Sequence, residues 1–126
     1  MDEGWRIVTH GGAGSHAQLS PVTDEAAQAA EQVLAAGHDP LAAACRAVAF
    51  LEDDGRFNAG RGSNVRADGD TVEMDAACAD SEGRFGAVAC LRETRYPVKA
   101  ARVVADTDHL VLAGEGAHRV ARERGL

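Results

Sequence analysis

Apolar residues recur at helical spacing through the first half of the chain and predict two helices. Ser20-Pro21 predicts the start of the first helix, with Ser20 as its cap, and Gly37 predicts its end. Asp39-Pro40 repeats the start signal, and the second helix is predicted to end before Gly55. The two apolar stripes are Val22, Ala26, Ala29, Val33 and Ala36, and then Leu41, Ala44, Cys45, Val48 and Leu51. The short link between the helices predicts that they pack as a hairpin.

Short apolar and alternating runs predict strands on both sides of this hairpin. The predicted strands are Arg6–His10, Ser63–Ala67, Thr71–Asp80 and Arg84–Leu91. The last run is apolar on both faces, which predicts a central strand covered on both sides. A helix is predicted from Pro97, a short extended piece over His109–Leu112 and a final helix over Gly114–Arg124. This order is not the strict alternation of a parallel sheet, so it predicts an α/β chain of the α+β type.

Composition narrows the class of protein without indicating a function. The length of 126 residues predicts a single domain over residues 1–126. The net charge is −7 and Lys99 is the single lysine, so no basic patch supports nucleic-acid binding. The acidic start does not resemble a signal peptide, and no apolar run is long enough for a membrane span. Cys45, Cys78 and Cys90 lack metal-ligand spacing and are predicted to be small core residues in a reducing cytoplasm.

The first candidate for chemistry is the glycine-rich segment His10–Gly14, which follows the first predicted strand. Residues Gly12–Ala17 match the pattern G-x-G-x-x-A of a dinucleotide-binding turn. That interpretation requires a helix to begin inside the glycines, whereas the predicted helix begins only at Ser20-Pro21. A tight turn that needs a positive φ angle explains the glycines equally well.

The second and third candidates are rich in carboxylates. Leu51–Val65 places Glu52, Asp53 and Asp54 at a helix end, where free carbonyls already carry partial negative charge. Either a cation is held there, or the stretch is a solvated acidic loop. The third candidate is Glu73-Met74-Asp75-Ala76, whose acids either line the solvent face of a strand or order loops near a site.

Taken in chain order, HGGAG, LEDDGRFNAGRGS and EMDA resemble the α-chain of plant-type L-asparaginases, also called isoaspartyl peptidases. Tyr96–Val103 and Ala113–Ala117 resemble later segments of that family. The family consists of threonine-type N-terminal-nucleophile hydrolases. The resemblance implies a four-layer αββα sandwich, made as one longer precursor that cuts itself before a Thr. That Thr would attack the side-chain amide of Asn, or the isopeptide bond of β-aspartyl dipeptides, with its own α-amino group as base.

The nucleophile that the resemblance implies is not among the threonines of this chain, because none follows a glycine or begins the chain. They are Thr9, Thr23, Thr71, Thr94 and Thr107. The expected partner is therefore a β-chain from the same precursor, and this chain alone is expected to be inactive. The resemblance further implies a cytoplasmic dimer of αβ units, a heterotetramer. Two alternatives stay open, a glycosylasparaginase and a truncated, inactive homologue.

The resemblance also assigns roles to individual residues. Asn58 matches an Asn beside the nucleophile, and Gly11 and Gly12 match a glycine loop that flanks the autocleavage site. No catalytic cofactor is implied, but a structural sodium ion is, bound by backbone carbonyls. The matching carbonyls belong to Leu51, Glu52, Asp54, Phe57, Ala59 and Arg61. The preference between free Asn and isoaspartyl peptides stays open, because the selective contacts are expected mostly on the β-chain.

Overall fold

The structure is a computed structural model that describes residues 4–126. Its helices are α1 (Ser20–Ala35), α2 (Pro40–Asp54), α3 (Pro97–Val104) and α4 (Glu115–Glu123). Its strands are β1 (Met74–Ala79), β2 (Phe85–Leu91) and β3 (Val111–Ala113). Short 3-10 turns occupy Ala17–Leu19 and Gly60–Gly62. The chain therefore folds as a helix hairpin followed by a small sheet with two helices, which confirms the mixed α+β prediction.

The helix hairpin forms much as the sequence predicts. The Asp39 side chain caps α2 by accepting the Ala42 N–H at 2.7 Å. Gly37 has φ +83°, the left-handed conformation that ends α1. The prediction that Ser20 caps α1 is wrong by one residue. The 3-10 turn before Ser20 runs directly into the helix, so Ser20 is already helical and Leu19 holds the cap position without a side-chain hydrogen bond.

The sheet has the order β1-β2-β3, so β2 is the central strand, as its apolar sequence predicts. β1 and β2 pair antiparallel, and β2 and β3 pair parallel. The register between β1 and β2 shifts around Asp75, which marks a β-bulge. Cys90 lies opposite in the left-handed region at φ +53°, and its N–H donates to Asp75 Oδ1 at 2.9 Å. The Asp75 carboxylate therefore stabilises a local kink in the central strand.

One face of the sheet is buried against helices and the other is open. Gly86 of β2 touches the α3 backbone so closely that a Cβ would collide with the carbonyl oxygen of Ala101. On the opposite face Phe85 is 39% exposed and Val111 is 55% exposed. The prediction that β2 is covered on both sides is therefore wrong for residues 4–126, because nothing in that part of the chain packs on the second face.

Two predicted strands do not form. Arg6–His10 has no strand pairing, and Val8 is 92% exposed, although Ile7 packs on the helix hairpin. Ser63–Ala67 is reduced to one bridge between Val65 and Val72. A strand exists only where a neighbour accepts and donates its backbone hydrogen bonds, and residues 4–126 offer these two segments no such ladder.

The buried side chains form three neighbouring clusters. The first lies within the helix hairpin and includes Phe57, and the second lies between the sheet, α3 and α4. The cluster that connects them is Leu41, Cys45, Ala49 and Val98. Cys45 is buried and Cys78 half-buried, but Cys90 is exposed, so its predicted core position is wrong: the bulge turns it outward. Across residues 4–126, none of the helices has the length and apolar character needed to cross a membrane.

Candidate functional site

The glycine segment lies directly against the loop that follows α2. A Cβ on Gly11 would lie 2.7 Å from Cε1 of Phe57, so a larger residue at Gly11 would displace the ring. Phe57 is 2% exposed and belongs to the helix-hairpin core. Gly12 has φ +94°, and its N–H donates to Nδ1 of His10 at 2.9 Å. Two stretches that are far apart in sequence therefore meet at one ring.

The dinucleotide alternative lacks its structural requirements. No strand precedes Gly12 within the described residues, and the glycines lead into the 3-10 turn at Ala17–Leu19 rather than into a helix. The helix N–H groups that would receive a pyrophosphate begin only at Ser20. The glycines serve a tight turn, which is the other interpretation of the sequence.

Two further glycines fold the loop back onto the end of α2. Gly60 has φ +54°, and a Cβ there would lie 2.5 Å from the Glu52 carbonyl oxygen. A Cβ on Gly62 would collide with the carbonyl oxygens of Phe57 and Gly55. Only glycine allows these approaches. As a result, several backbone carbonyls are gathered within one small turn.

Asn58 presents its amide nitrogen outward. Its Oδ1 accepts the backbone N–H of Asn64 at 2.9 Å. Because a backbone N–H can only donate, this contact determines which atom of the amide is the oxygen. The Nδ2 group has no hydrogen-bond partner within residues 4–126, so its two donors are available to a ligand or to another chain.

A cavity of about 260 Å³ joins the second and third candidate segments. Its polar lining consists of Glu52, Asn58 and Ser63 from the α2 end and loop, and of Glu73 and Asp75 from the start of β1. The structure thus brings the Asn58 loop and the EMDA segment to one concave site, and Phe57 connects both to Gly11. The glycine segment lines a second cavity, which it shares with Phe57.

The two half-buried acids at the end of α2, Asp53 and Asp54, form ion pairs with arginines. Arg95 donates to Asp53 Oδ1 at 2.6 and 2.8 Å, and this hydrogen bonding lowers the pKa of Asp53. Arg56 holds both oxygens of Asp54, at 2.7 and 2.6 Å, and lowers its pKa in the same way. These carboxylates are engaged with guanidinium groups, so they are poorly placed to bind a cation.

Glu52 behaves differently from its two acidic neighbours. It is 3% exposed, and its Oε1 accepts the backbone N–H of Val98 at 2.9 Å. Its Oε2 is buried without a partner among the described residues. Loss of hydration raises the pKa of Glu52 to about 7. The sequence interpretation grouped its carboxylate with those of Asp53 and Asp54 and missed its burial, although Leu41, Cys45, Ala49 and Glu52 follow one helical stripe.

The predicted sodium ligands are divided between the helix end and the loop. Leu51, Glu52 and Asp54 lie in the last turn of α2, and Phe57, Ala59 and Arg61 lie beyond it. Residues 4–126 contain no group of three or more His, Cys, Asp or Glu that could hold a metal, so a cation here would depend on carbonyls. Of the six predicted carbonyls, that of Glu52 lies against Gly60 and that of Phe57 against Gly62. The Arg61 guanidinium, which donates to the Asp54 carbonyl at 3.4 Å, would have to move away from it.

Glu73 forms ion pairs with two arginines. Its Oε2 accepts Arg66 Nε at 2.8 Å, and its Oε1 accepts Arg92 Nε at 3.1 Å. Hydrogen bonds from Arg92 and Arg66 lower the pKa of Glu73. The side chain ties the segment before β1 to the end of β2, so it orders the rim of the cavity.

The fold and the site define a class: an α+β chain in which a helix hairpin and a helix-covered sheet meet at a glycine-rich loop that presents an amide side chain. The family model described as Asparaginase matches residues 3–126. The chain belongs to this asparaginase family.

Curated relatives agree with the family model. The chain is 41% identical to an isoaspartyl peptidase/L-asparaginase of Rattus norvegicus, over 95% of this chain and 38% of the relative. It is 42% identical to a plant-type L-asparaginase of Pyrobaculum calidifontis and 36% identical to an isoaspartyl peptidase of Salmonella typhimurium, in each case over 95% of this chain and 42% of the relative. The chain thus spans about two fifths of the length of these relatives.

Proposed function

We propose that the protein containing this chain hydrolyses the side-chain amide of L-asparagine, β-aspartyl (isoaspartyl) dipeptides, or both. The observation that carries the proposal is the unpartnered amide nitrogen of Asn58, a residue that lines the cavity between the α2-end loop and the EMDA segment. The names of the relatives, isoaspartyl peptidase and L-asparaginase, supply the substrate class. Both substrates present the same chemical feature, an amide carbonyl on the aspartyl side chain.

The catalytic nucleophile is proposed to be a Thr at the start of a β-chain cut from the same precursor. Every threonine hydroxyl of the present chain donates to a nearby oxygen. The acceptors are the carbonyls of Thr23, Ser20, Arg92 and Val104 and the carboxylate of Asp68. None of these threonines carries a free α-amino group, which the proposed mechanism needs as its base. These contacts support a nucleophile that comes from outside residues 4–126.

The proposed reaction proceeds through an acyl-enzyme. The Thr hydroxyl attacks the side-chain amide carbon, and its proton passes through the α-amino group to the leaving amine. The C–N bond breaks, releasing ammonia from asparagine or the C-terminal amino acid from a β-aspartyl dipeptide, and water then hydrolyses the ester to give aspartate. The Asn58 Nδ2 group would donate a hydrogen bond that orients the nucleophile or the attacked group.

The other properties that the family resemblance implies belong to the same proposal. A β-chain sheet on the open face of β2 would complete a four-layer αββα sandwich, and the exposed Phe85 and Val111 support such a cover. The αβ units would pair as a dimer in the cytoplasm. Gly11 and Gly12 would flank the autocleavage site. A sodium ion at the α2 end, when bound, would supply rigidity to the Asn58 loop and take no part in bond breaking.

The test uses protein expressed from the complete coding sequence, which we call the complete protein. We expect intact-mass analysis to show a second polypeptide that begins with Thr. We also expect ammonia release from L-asparagine or aspartate release from β-Asp-Leu. Loss of turnover in Asn58→Ala, with the mass pattern unchanged, would support the role of Asn58.

Other outcomes separate the alternatives. Turnover of sugar-linked asparagine without turnover of β-Asp-Leu would indicate a glycosylasparaginase. A stop codon directly after Leu126 would indicate a truncated homologue, and unchanged turnover in Asn58→Ala would remove Asn58 from the site.

A further inference from the structure

The Glu52 side chain connects three parts of the molecule that meet at the candidate site. Its backbone belongs to the last turn of α2, and its carboxyl group contacts the start of α3. It also lines the cavity that Asn58 lines. With 3% exposure, it is the most buried acid that the structure describes in residues 4–126.

The contact with α3 takes the place of a missing helix cap. Pro97 opens α3, and Tyr96 at the cap position makes no side-chain hydrogen bond. The N–H of Val98, in the first turn, would therefore lack an acceptor within its own helix. Glu52 Oε1 supplies that acceptor at 2.9 Å, from 46 residues earlier in the chain. Without it, a buried N–H would be left unpaired.

The same residue also determines where the loop can lie. A Cβ on Gly60 would lie 2.6 Å from Cβ and 2.8 Å from Cα of Glu52, so the loop rests on this residue with no space between them. Gly60 is two positions from Asn58. A shift or rotation of Glu52 would therefore be passed to the loop that presents the Asn58 amide.

We infer that the Glu52 side chain is a positioning residue: by accepting the Val98 N–H it anchors the end of α2 to α3 and holds the Asn58 loop in its active geometry. Glu52 acts through the loop and does not touch the reacting atoms. The inference deepens the proposed function and rests on it for its kinetic test.

Two variants of the complete protein separate hydrogen bonding from burial. Glu52→Gln keeps an oxygen acceptor for Val98, whereas Glu52→Met keeps the approximate volume and removes the acceptor. We expect Glu52→Met to lower kcat for β-Asp-Leu on the order of a hundredfold, the scale for a displaced catalytic group. KM should change little, and Glu52→Gln should restore most of the kcat.

Hydrogen exchange measured by mass spectrometry gives a readout that does not need activity. We expect faster exchange over residues 55–64 in Glu52→Met and wild-type exchange there in Glu52→Gln. The matched control is Thr94→Val, since Thr94 is 5% exposed and its hydroxyl donates to the Arg92 carbonyl at 3.3 Å rather than to α2 or the loop. This control should lose stability without loop-specific exchange or a kcat change.

The outcomes decide the inference separately from the proposed function. Glu52→Met with wild-type kcat and loop exchange overturns the inference, and so does a Glu52→Gln protein as impaired as Glu52→Met. If Glu52→Met does not fold, loop exchange in Glu52→Gln decides: wild-type rates support the anchor and faster rates overturn it. A wild-type protein without turnover contradicts the proposed function, while the exchange comparison still tests the anchor.

Discussion

The helix hairpin and the three-stranded sheet differ in how completely each buries its apolar surface. In the hairpin, α1 and α2 face each other across a short link and enclose a cluster that includes Val22, Ala26 and Leu51. The sheet is covered by α3 and α4 on one face, and Phe85 stays 39% exposed on the other. The hairpin finds its packing partners within its own segment and in flanking residues such as Ile7 and Phe57, whereas one face of the sheet has no packing partner in residues 4–126. The candidate site lies at the boundary between the two.

The largest effect is expected from Leu41→Ala, which tests whether the two regions share a core. Leu41 is 2% exposed and packs in the cluster that contains Val98 of α3. Truncation leaves a cavity, so the free energy of unfolding of the complete protein should fall by about 2–5 kcal/mol. Urea unfolding measures the change. A loss well under about 1 kcal/mol would show that this cluster does not join the regions.

Phe85→Ala tests the open sheet face. If a second sheet covers Phe85 in the complete protein, truncation should lower the free energy of unfolding by about 2 kcal/mol or more. If the face remains in water, the loss should stay within about 0.5 kcal/mol. If a β-chain can be separated from the complete protein, thermal unfolding measured with and without it would show whether the sheet or the helix hairpin depends on that β-chain.

Gly60→Ala tests the contact between the loop after α2 and Glu52 at the end of α2. The φ angle of +54° disfavours alanine, and the new Cβ would lie 2.5 Å from the Glu52 carbonyl oxygen. We expect a loss of about 1–3 kcal/mol, typical of backbone strain, together with reduced turnover. Gly83→Ala is the matched control, because Gly83 has φ +88° but no atom within 4 Å of an added Cβ. Equal effects in both variants would show that the packing against Glu52 is unimportant.

Asp39→Ala tests the cap of the hairpin, with the partly exposed ion pair between Asp39 and Arg84 at 3.4 Å contributing little. The variant removes the acceptor for the Ala42 N–H, so the free energy of unfolding should fall by about 1 kcal/mol, as for other helix caps. Asp39→Ser should recover most of the loss. Differential scanning calorimetry of the three proteins provides the comparison, and a larger loss in the serine variant would contradict the cap.

The smallest effect concerns the turn before the sheet. Hydrogen bonds from the Thr71 hydroxyl, the Thr71 N–H and the Asp70 N–H lower the pKa of Asp68 from 3.8 to about 2. A lowered pKa means that the ionised group stabilises the fold above pH 3.8, and this contribution disappears as the pH falls through about 2. The stability difference between wild type and Asp68→Ala should therefore shrink between these values. A difference independent of pH would contradict the assignment.

The sequence predicts the hairpin well because its signals are local. Asp39 is the cap and Pro40 the first helical residue of α2. Gly37 adopts the left-handed conformation that follows the end of α1. Strand predictions fail where pairing depends on distant chain. Arg6–His10 has the apolar pattern of a strand, but pattern alone cannot supply a neighbour for its backbone.

The sequence predicts which segments form the candidate site, but it does not predict the contacts between them. The motifs identify Gly11, Asn58 and the α2 end, and the structure brings these segments together. The contact of Gly11 with Phe57 and the outward Asn58 nitrogen depend on tertiary packing that no local pattern encodes. The burial of the Glu52 side chain was missed because three consecutive acids in a sequence resemble a solvated loop. Its partner Val98 lies 46 residues away.

The Phe57 ring has a consequence for engineering this protein. It fills the helix-hairpin core, touches Gly11 and is the chain neighbour of Asn58. Stabilising substitutions in the hairpin core that contact this ring would repack it and so displace the amide beside it. Improvement of thermal tolerance and retention of turnover are therefore coupled at one aromatic side chain. Libraries that leave the neighbours of Phe57 unchanged should separate the two properties.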